Sequence, residues 1–339
     1  MQLDSRVPAY ATVGVGVVGA GYWGQKMLRA LRGSTRTRLV QICDHDAAAL
    51  ANVPGIDART RTTTQFEDLL VDEDIDAVFI ATPPATHATF ASAALRAGKH
   101  VLVEKPLATT LADAKALLEL AAAHERTLMV GHTFLYSPPV IKLQQLIAGG
   151  TMGDIFYIES QRVNLGRYQD VGVLWDLAPH DLSIILFWLG EVPCGVSATG
   201  RSFVSGERED VVFVNLDFPS GVIAQVHVSW RSPVKLRRIL VSGSERMAVY
   251  DDAAGPQALK IFRHDLSRER DVWIPRLADT EPLRAEWDHF LDCILTGDAP
   301  RSDVRSGSLV VQIMEAADRA LASGRREPVA VNLPQPRRR

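Results

Sequence analysis

A lysine that directly follows a predicted strand is the first candidate for chemistry in this chain of 339 residues. The apolar run His100–Val103 predicts the strand, and Glu104, Lys105 and Pro106 follow it. An ammonium group at the end of such a strand can hydrogen-bond a substrate hydroxyl and stabilise the alkoxide that forms as the proton leaves. The alternative for Lys105 is a solvated surface lysine at the start of a loop.

A carboxylate and an imidazole four residues apart form the second candidate. The pattern predicts a helix from about Asp176 to Leu189, with Pro179 tolerated in its first turn. Asp176 and His180 then share one helix face, where the carboxylate orients the imidazole and favours its protonated form. Such a pair suits a general base for an alcohol, and the alternative is an N-capping aspartate beside a hydrogen-bonded structural histidine.

A glycine-rich turn near the start of the chain predicts a dinucleotide site. An apolar strand over 13–18 runs into a Gly-x-Gly-x-x-Gly turn, after which a helical pattern begins. The first glycine makes the tight turn, the second lets the backbone approach a pyrophosphate, and the third lets the helix pack closely on the sheet. The helix N-terminus offers unpaired N–H groups to the phosphates. The predicted cofactor contacts in this segment are Gly19, Gly21, Tyr22, Trp23 and Gly24.

An acid at the end of the second predicted strand indicates which dinucleotide is bound. The strand Leu39–Cys43 ends at Asp44, twenty positions after Gly24, where an acid takes the adenine-ribose hydroxyls. A 2′-phosphate would lie close to Asp44 and Asp46, with no arginine directly after the strand to pair with it. The sequence therefore predicts NAD in preference to NADP, and His45 would soften that preference.

Two different patterns of elements position these residues. The first 133 residues alternate short β-rich runs with helical patterns, which predicts a parallel, doubly wound α/β sheet with ligands beyond the carboxyl ends of its strands. The loop Thr82-Pro83 and His132 lie at such strand ends, and Thr86 is a candidate helix cap. Later strands follow one another without helices, which predicts an α+β domain with a large, open, mostly antiparallel sheet. The predicted domains are a Rossmann domain that binds NAD(P) over 1–133, a domain for substrate binding and oligomerisation over 134–330, and a basic tail over 331–339.

Composition excludes several classes of protein. The chain is 47% hydrophobic and 23% charged, as soluble globular proteins are, and its net charge of −3 gives no indication of nucleic-acid binding. Cys43, Cys194 and Cys293 have no zinc or disulfide spacing, so we predict a reducing, cytoplasmic location and no metal site. No signal peptide and no membrane-spanning segment is predicted.

Together these motifs resemble the glucose–fructose oxidoreductase / inositol dehydrogenase / MocA (Gfo/Idh/MocA) family. The resemblance covers almost the whole chain in order, through Gly19–Gly24, Asp44, Ala81-Thr82-Pro83-x-x-x-His87, Ala97–Pro106, Gly131-His132 and Asp176-x-x-x-His180. The Glu-Lys-Pro element after a Gly-Lys-His-Val strand is quite specific to the family. The resemblance implies a Rossmann domain followed by an α/β domain with a large open sheet. It also implies hydride transfer between NAD(P) and a carbohydrate or cyclitol carbon.

The resemblance also implies roles for individual residues. Lys105 binds the reacting hydroxyl, and His180 is the acid/base with Asp176 as its partner. The cofactor is bordered by Thr82, Pro83, His87, Glu104 and Lys105.

A finer resemblance points to a substrate class. Ala178 replaces the glycine that the family often has between the aspartate and the histidine. Asn164-Leu165-Gly166 together with Val173–Asp181 looks like the subgroup that oxidises nucleotide-linked amino sugars, such as UDP-N-acetylglucosamine 3-dehydrogenases. The candidate substrate contacts are His132, Arg162, Asn164, Arg167 and Tyr168. The alternative for Arg162, Asn164, Arg167 and Tyr168 is that they are only polar residues of a strand edge and a loop, with no contact to substrate.

Other functions stay open at this point. They are an inositol or aldose dehydrogenase, a ketosugar reductase, an NAD-dependent glycosidase that oxidises transiently, and a non-enzymatic NAD-binding regulator. The presence of Lys105, Asp176 and His180 together argues against the regulator. Apolar residues on both faces of strands such as Val222–Val228 predict a homodimer or homotetramer built sheet to sheet.

Overall fold

The computed structural model describes residues 12–54, 57–166, 171–204, 206, 208–263 and 272–330. The chain forms two compact units, and the first contains the residues up to Thr133 together with Glu281–Ser308. The second contains Phe134–Thr280 and the chain from Leu309 onward. The predicted domains were 1–133 and 134–330, so residues 281–308 fell in the second predicted domain. Helical periodicity identifies the buried face of a helix but not the core that it joins, so this return was not visible.

The first unit is built on a parallel sheet with intervening helices. Its elements are β1 (Val13–Val18), α1 (Tyr22–Arg32), β2 (Thr37–Cys43), α2 (Ala47–Ala51), β3 (Arg61–Thr63), α3 (Glu67–Val71), β4 (Ala77–Ile80), α4 (Pro84–Arg96), β5 (His100–Glu104), α5 (Leu111–Ala123) and β6 (Leu128–Gly131). The strand order is β3-β2-β1-β4-β5-β6, and every residue of β1, β4 and β6 is buried. Continuous burial of this kind is typical of a sheet covered on both faces, so the predicted doubly wound architecture is confirmed.

Two local features of this unit differ from the sequence analysis. The strand β3 was not predicted, because its three residues are exposed or half-buried and show no apolar alternation. Thr86 is not the cap of α4, because Pro84 occupies the first helical position, where its fixed φ suits a helix start. The Thr86 hydroxyl instead lies 2.7 Å from the Pro83 carbonyl oxygen.

The second unit contains a large open sheet. The remaining elements of the chain are α6 (Pro138–Ala148), β7 (Ile155–Leu165), α7 (Gly172–Leu189), β8 (Gly195–Arg201), β9 (Val211–Asp217), β10 (Ile223–Ser229), β11 (Arg231–Gly243), β12 (Arg246–Asp251), β13 (Leu259–Arg263), β14 (Val272–Trp273), α8 (Pro282–Thr296), α9 (Val304–Ser323) and β15 (Glu327–Pro328). Among the described residues the order is β14-β13-β12-β11-β7-β10-β9-β8-β15, and only β7 and β10 pair in parallel. The predicted mostly antiparallel sheet is therefore confirmed, although the two-residue strand β15 was too short to predict.

Helix α7 begins four residues before the predicted start. It runs from Gly172, so Asp176 is its fifth residue and Pro179 lies inside it. Proline is frequent in the first turn of a helix, so Pro179 led to a predicted start that is too late in the chain. Of the described helices, α7 alone has the length and mean hydropathy (1.2) of a membrane span, and 61% of it is buried inside the protein.

Candidate active site

The glycine-rich turn between β1 and α1 has the shape that a pyrophosphate requires. Gly19 has a φ of +95°, a left-handed conformation that side chains disfavour. A Cβ on Gly24 would lie 1.8 Å from the carbonyl oxygen of Gly19, so only glycine allows this close packing. A Cβ on Gly21 would meet no atom within 4 Å, and Gly21 is the N-cap residue of α1. The turn therefore leaves its backbone open to a ligand at the helix N-terminus, which fits a dinucleotide.

Asp44 supports this turn as well as ending β2. Its Oδ2 accepts the Ala20 amide hydrogen bond at 2.7 Å, and its Oδ1 accepts that of Asp46 at 3.0 Å. The His45 ring nitrogen Nδ1 lies 3.1 Å from Oδ1. Each carboxylate oxygen can accept more than one hydrogen bond, so ribose hydroxyls fit beside these backbone contacts. This support of the turn could not be predicted, since spacing alone does not show which amides a carboxylate reaches.

The aromatic pair at the start of α1 is exposed. Tyr22 and Trp23 pack edge to face, with ring centroids 5.6 Å apart. The Lys26 ammonium lies 4.4 Å from the Tyr22 centroid and 4.5 Å from the Trp23 centroid, within cation–π range. A positive charge is therefore held close to the turn.

His87 connects the two loops that follow β4 and β5. Its ring nitrogens lie 2.7 Å from the Pro106 carbonyl oxygen and 2.8 Å from the Thr82 carbonyl oxygen. Burial, with a smaller contribution from the Lys105 charge, lowers the pKa of His87 despite these two carbonyls. The buried ring thus holds the Thr82 loop against the segment that carries Lys105.

Lys105 is surrounded by buried titratable groups of the first unit. Glu104 is buried and accepts the Lys105 backbone N–H at 3.2 Å, and burial raises the pKa of Glu104 to about 7. Burial, and then the Lys105 charge, lower the pKa of His132 to about 3. The imidazole of His132 is fully enclosed, and neither ring nitrogen has a hydrogen-bond partner among the described residues.

A further buried acid of this cluster was not singled out from the sequence. Glu286 on α8 is fully buried, and its Oε2 accepts a hydrogen bond from the Thr133 hydroxyl at 2.8 Å. Burial and the nearby Glu104 carboxylate raise the pKa of Glu286 well above its ordinary value. The available signal was its position in register with the apolar residues Leu283, Trp287 and Phe290 of α8, where an acid is unusual.

We predict that Glu104 makes the stability of the protein depend on pH. Its pKa rises from 4.5 to about 7 on folding, so its stabilising effect is complete below about pH 4.5 and is lost as the pH rises through about 7. The loss is of order 3 kcal/mol, at 1.36 kcal/mol for each pKa unit. Urea unfolding at about pH 5 and about pH 8 measures it, and Glu104→Gln is expected to reduce the stability difference between the two pH values, with the remainder due to Glu286, whose pKa is also raised. An unchanged difference between the two pH values in Glu104→Gln would contradict the prediction.

Helix α7 carries the two predicted catalytic residues of the second unit. Asp176 and His180 are one turn apart in a continuous helix and share a face. The Trp230 indole Nε1 donates a hydrogen bond to Asp176 Oδ2 at 3.2 Å. The His180 ring packs edge-on against Phe134, with centroids 5.1 Å apart. Since α7 starts at Gly172, the alternative of an N-capping Asp176 is wrong.

Arg162 is committed to an ion pair in the core of the second unit. Its guanidinium makes two hydrogen bonds to Asp181, at 2.8 and 3.0 Å, and both side chains are buried. It also lies over the Phe134 ring, 4.4 Å from the centroid. This geometry argues against the predicted substrate contact by Arg162. If the guanidinium turned toward a substrate, the buried carboxylate of Asp181 would lose its partner charge. Its contact with the Phe134 ring, which also packs against His180, favours a supporting role beside His180.

The other predicted substrate residues of this unit are less constrained. Asn164 is half-buried near the end of β7, and its Oδ1 has no hydrogen-bond partner among the described residues. Arg167 and Tyr168 lie outside the residues that the structure describes. Among the described residues, no three His, Cys, Asp or Glu side chains are placed to hold a metal ion.

Comparison with known proteins identifies the class. Residues 13–132 match the sequence model of an oxidoreductase family with an NAD-binding Rossmann fold, and residues 140–249 match its C-terminal domain. The chain is 29% identical to inositol 2-dehydrogenase of Rhizobium meliloti (strain 1021) over 94% of this chain and 100% of that protein. It is also 29% identical to UDP-N-acetylglucosamine 3-dehydrogenase of Acidithiobacillus ferrooxidans, over 82% and 88% of the two chains. The chain spans only 66% and 57% of the length of two other curated relatives that it matches.

A solved structure agrees with this class. GenD2 from gentamicin A biosynthesis, in complex with NAD, superposes with a TM-score of 0.83 at 26% identity, over 97% of this chain and 100% of that chain. Fold, glycine turn and sequence matches thus define the NAD-binding Rossmann domain and the C-terminal domain of an oxidoreductase family. The chain belongs to the Gfo/Idh/MocA family, as the resemblance in its sequence predicted.

Proposed function

We propose that this protein oxidises a secondary alcohol of a nucleotide-linked amino sugar to the ketone, with NAD as hydride acceptor. The observation that carries the proposal is the placement of Asp176 and His180 on one face of α7, with Trp230 bonded to the carboxylate. A carboxylate and an imidazole in this arrangement suit removal of a hydroxyl proton. The position of Lys105 directly after β5, in the unit that carries the glycine turn, supports the same chemistry.

Each of the three residues has a separate role in the proposed reaction. The Lys105 ammonium hydrogen-bonds the reacting hydroxyl and stabilises the negative charge that develops on its oxygen. Neutral His180 accepts the hydroxyl proton, and Asp176 orients the ring and stabilises the imidazolium that forms. The carbon–hydrogen bond breaks as its electron pair leaves with the hydride, so a ketone and one proton on His180 result. NAD, when bound at the glycine turn, supplies the acceptor for that hydride.

The substrate class is the finer part of the proposal. The match to a UDP-N-acetylglucosamine 3-dehydrogenase supports a nucleotide-linked amino sugar, as does the Asn164-Leu165-Gly166 segment at the end of β7. A cyclitol is the second candidate, because the inositol 2-dehydrogenase match extends over more of the chain at the same identity. Contacts from His132 are not part of this proposal, because its imidazole is fully enclosed.

A substrate panel tests the proposal. NADH absorbance is followed with the purified protein, NAD, and a set of nucleotide amino sugars, free aldoses and inositols. We expect the highest kcat/KM with a UDP-linked N-acetylamino sugar. Faster oxidation of an inositol would select the second candidate, and product formation without net NADH would indicate the transient oxidation of a glycosidase.

We predict that NAD binds more tightly than NADP. Asp44 presents its carboxylate beside the turn, and a 2′-phosphate there would meet a like charge. Asp44→Asn removes the charge and retains an oxygen for the Ala20 amide, so it is expected to narrow the difference between the two Kd values without disrupting the turn. Fluorescence titration of both dinucleotides measures this difference. Equal Kd values for wild type would contradict the prediction.

We also propose that the protein is a homodimer or homotetramer that associates through the open sheet. Ala224, Val226 and Val228 of β10 are buried on the face that packs on α7, whereas Ile223 is exposed on the opposite face. Phe213 of β9 is exposed on that opposite face as well. Light scattering after size-exclusion chromatography is expected to give a multiple of the chain mass of 37.1 kDa. Ile223→Asp is expected to shift the mass toward that of one chain, and a monomeric wild type would contradict the proposal.

The proposed location is the cytoplasm. Cys43, Cys194 and Cys293 are all free thiols in the structure, which suits a reducing compartment.

A further inference from the structure

We propose that Trp230 is a positioning residue for Asp176. The inference rests on the proposed function, in which the Asp176 carboxylate orients the base His180. The indole Nε1 of Trp230 lies 3.2 Å from Asp176 Oδ2 and donates a hydrogen bond to it. The contact fixes which oxygen of the Asp176 carboxylate faces Trp230. An indole N–H can only donate a hydrogen bond, so the contact is made with the charged carboxylate.

The position of Trp230 is set by its backbone and by close packing. Its N–H donates to the Asp210 carbonyl oxygen at 2.9 Å, and its carbonyl oxygen accepts from the Gly166 N–H at 3.2 Å. A Cβ on Gly166 would lie 2.5 Å from the indole Cδ1, so a larger residue there would displace the ring. The indole itself is buried. Backbone contacts on both sides therefore hold the donor in one place.

Asp210 strengthens this arrangement from the neighbouring loop. Its side chain is fully buried, and its Oδ2 accepts the backbone N–H groups of Phe203 and Val204 at 2.9 and 3.0 Å. Its own N–H donates to the Arg201 carbonyl oxygen at 3.0 Å. The residue that anchors Trp230 is thus itself anchored at three points.

The same helix offers a matched control. Trp175, the residue before Asp176, donates its indole N–H to Asp318 Oδ2 at 2.8 Å. Trp175→Phe therefore removes the same kind of tryptophan–aspartate hydrogen bond from α7, but from a carboxylate that has no role in the proposed reaction. Both variants lose one tryptophan–aspartate hydrogen bond, but only Trp230→Phe loses the bond to Asp176. A difference in kcat between them therefore reports on the bond to Asp176.

The first test is a double-mutant cycle on turnover. With NAD and UDP-N-acetylglucosamine, or myo-inositol if that is the faster of the two, Trp230→Phe is expected to lower kcat ~10-fold, the order expected for one hydrogen bond to a charged group. The KM values for NAD and substrate are expected to stay near wild type. Trp175→Phe is expected to change kcat less than ~2-fold, because Asp318 has no role in the proposed reaction. In the Asp176→Ala background, Trp230→Phe is expected to cause no further loss.

The outcomes separate this inference from the proposed function. If Trp230→Phe lowers kcat equally with and without the Asp176 carboxylate, its role is structural and the inference is overturned. If Asp176→Ala lowers kcat while Trp230→Phe does not, the inference alone fails. If Asp176→Ala keeps full turnover, the proposed role of Asp176 fails and the inference fails with it.

A second measurement does not depend on turnover or on the folding of the Trp230 variant. The chain contains six tryptophans, so their indole N–H resonances can be assigned individually in a ¹⁵N spectrum. The Trp230 resonance is expected to shift in Asp176→Ala, and the resonance of Trp287, whose indole N–H donates to Thr37, is expected to stay. A Trp230 resonance that is unchanged in Asp176→Ala would overturn the inference.

Discussion

Lys105→Ala is expected to lower kcat by at least ~100-fold, because electrostatic stabilisation of a developing alkoxide typically contributes that much. The Kd for NAD is expected to stay near wild type, since the glycine turn and Asp44 are unchanged. Stopped-flow formation of NADH measures the first quantity and fluorescence quenching the second. The buried neighbours Glu104 and His132 enlarge the effect, because a charge in such surroundings is screened less than in water.

Two further variants make the Lys105 result specific. Lys105→Arg retains the positive charge and changes the geometry of the donor, so we expect an intermediate kcat. Lys115→Ala, on α5, removes a lysine from an outer helix and is expected to leave kcat unchanged. Nearly full turnover in Lys105→Ala on the proper substrate would exclude the assignment.

His180→Asn is expected to lower kcat/KM for oxidation by ~100-fold or more and to remove its decline at acidic pH. A base must be neutral to accept a proton, so wild-type oxidation is expected to slow as the pH falls and the imidazole becomes protonated. Asp176→Asn is expected to move this acidic limb to lower pH, because the carboxylate favours the imidazolium. Its maximum is also expected to fall, since the ring loses its partner. In the reductive direction the dependence is expected to reverse.

Glu104 must be controlled for in this experiment. Its pKa of about 7 places its titration within the pH range that the profile covers. If the acidic limb belongs to His180, it persists in Glu104→Gln and moves in Asp176→Asn. If His180→Asn keeps the wild-type limb and rate, another group is the base, and Lys105 is the first replacement candidate.

Much of the fold could be predicted from the sequence because its patterns are local. The strand β1 and its glycine turn have the predicted bounds, and β2 and β5 are close to theirs, since continuous apolar runs identify buried parallel strands. Short exposed strands such as β3 have no such pattern. The predicted start of α7 was wrong because Pro179, which lies inside the helix, has the residue type that is typical of a helix start.

The candidate site was predictable only in part, because sequence patterns are local and contacts between distant residues are not. Motif spacing identified Lys105, Asp176 and His180 as candidates, and their catalytic roles stay predictions. Contacts between residues distant in sequence were not accessible, such as Trp230 with Asp176, and Glu286 with Thr133. The ion pair of Arg162 with Asp181 likewise depends on packing between a strand and a helix, which no local pattern reveals.

The return of residues 281–308 to the first unit has a consequence for synthesis. Trp287 donates its indole N–H to the Thr37 hydroxyl at 2.8 Å, and the Val130 N–H donates to the Ser302 carbonyl oxygen at 2.8 Å. These partners are separated by well over a hundred residues of chain, and the later one leaves the ribosome last. Domains generally fold as units during synthesis, starting from the N-terminus. This N-terminal unit therefore completes its core only after residues 281–308 have been translated, which is after the whole of the sheet in the second unit except β15 has left the ribosome.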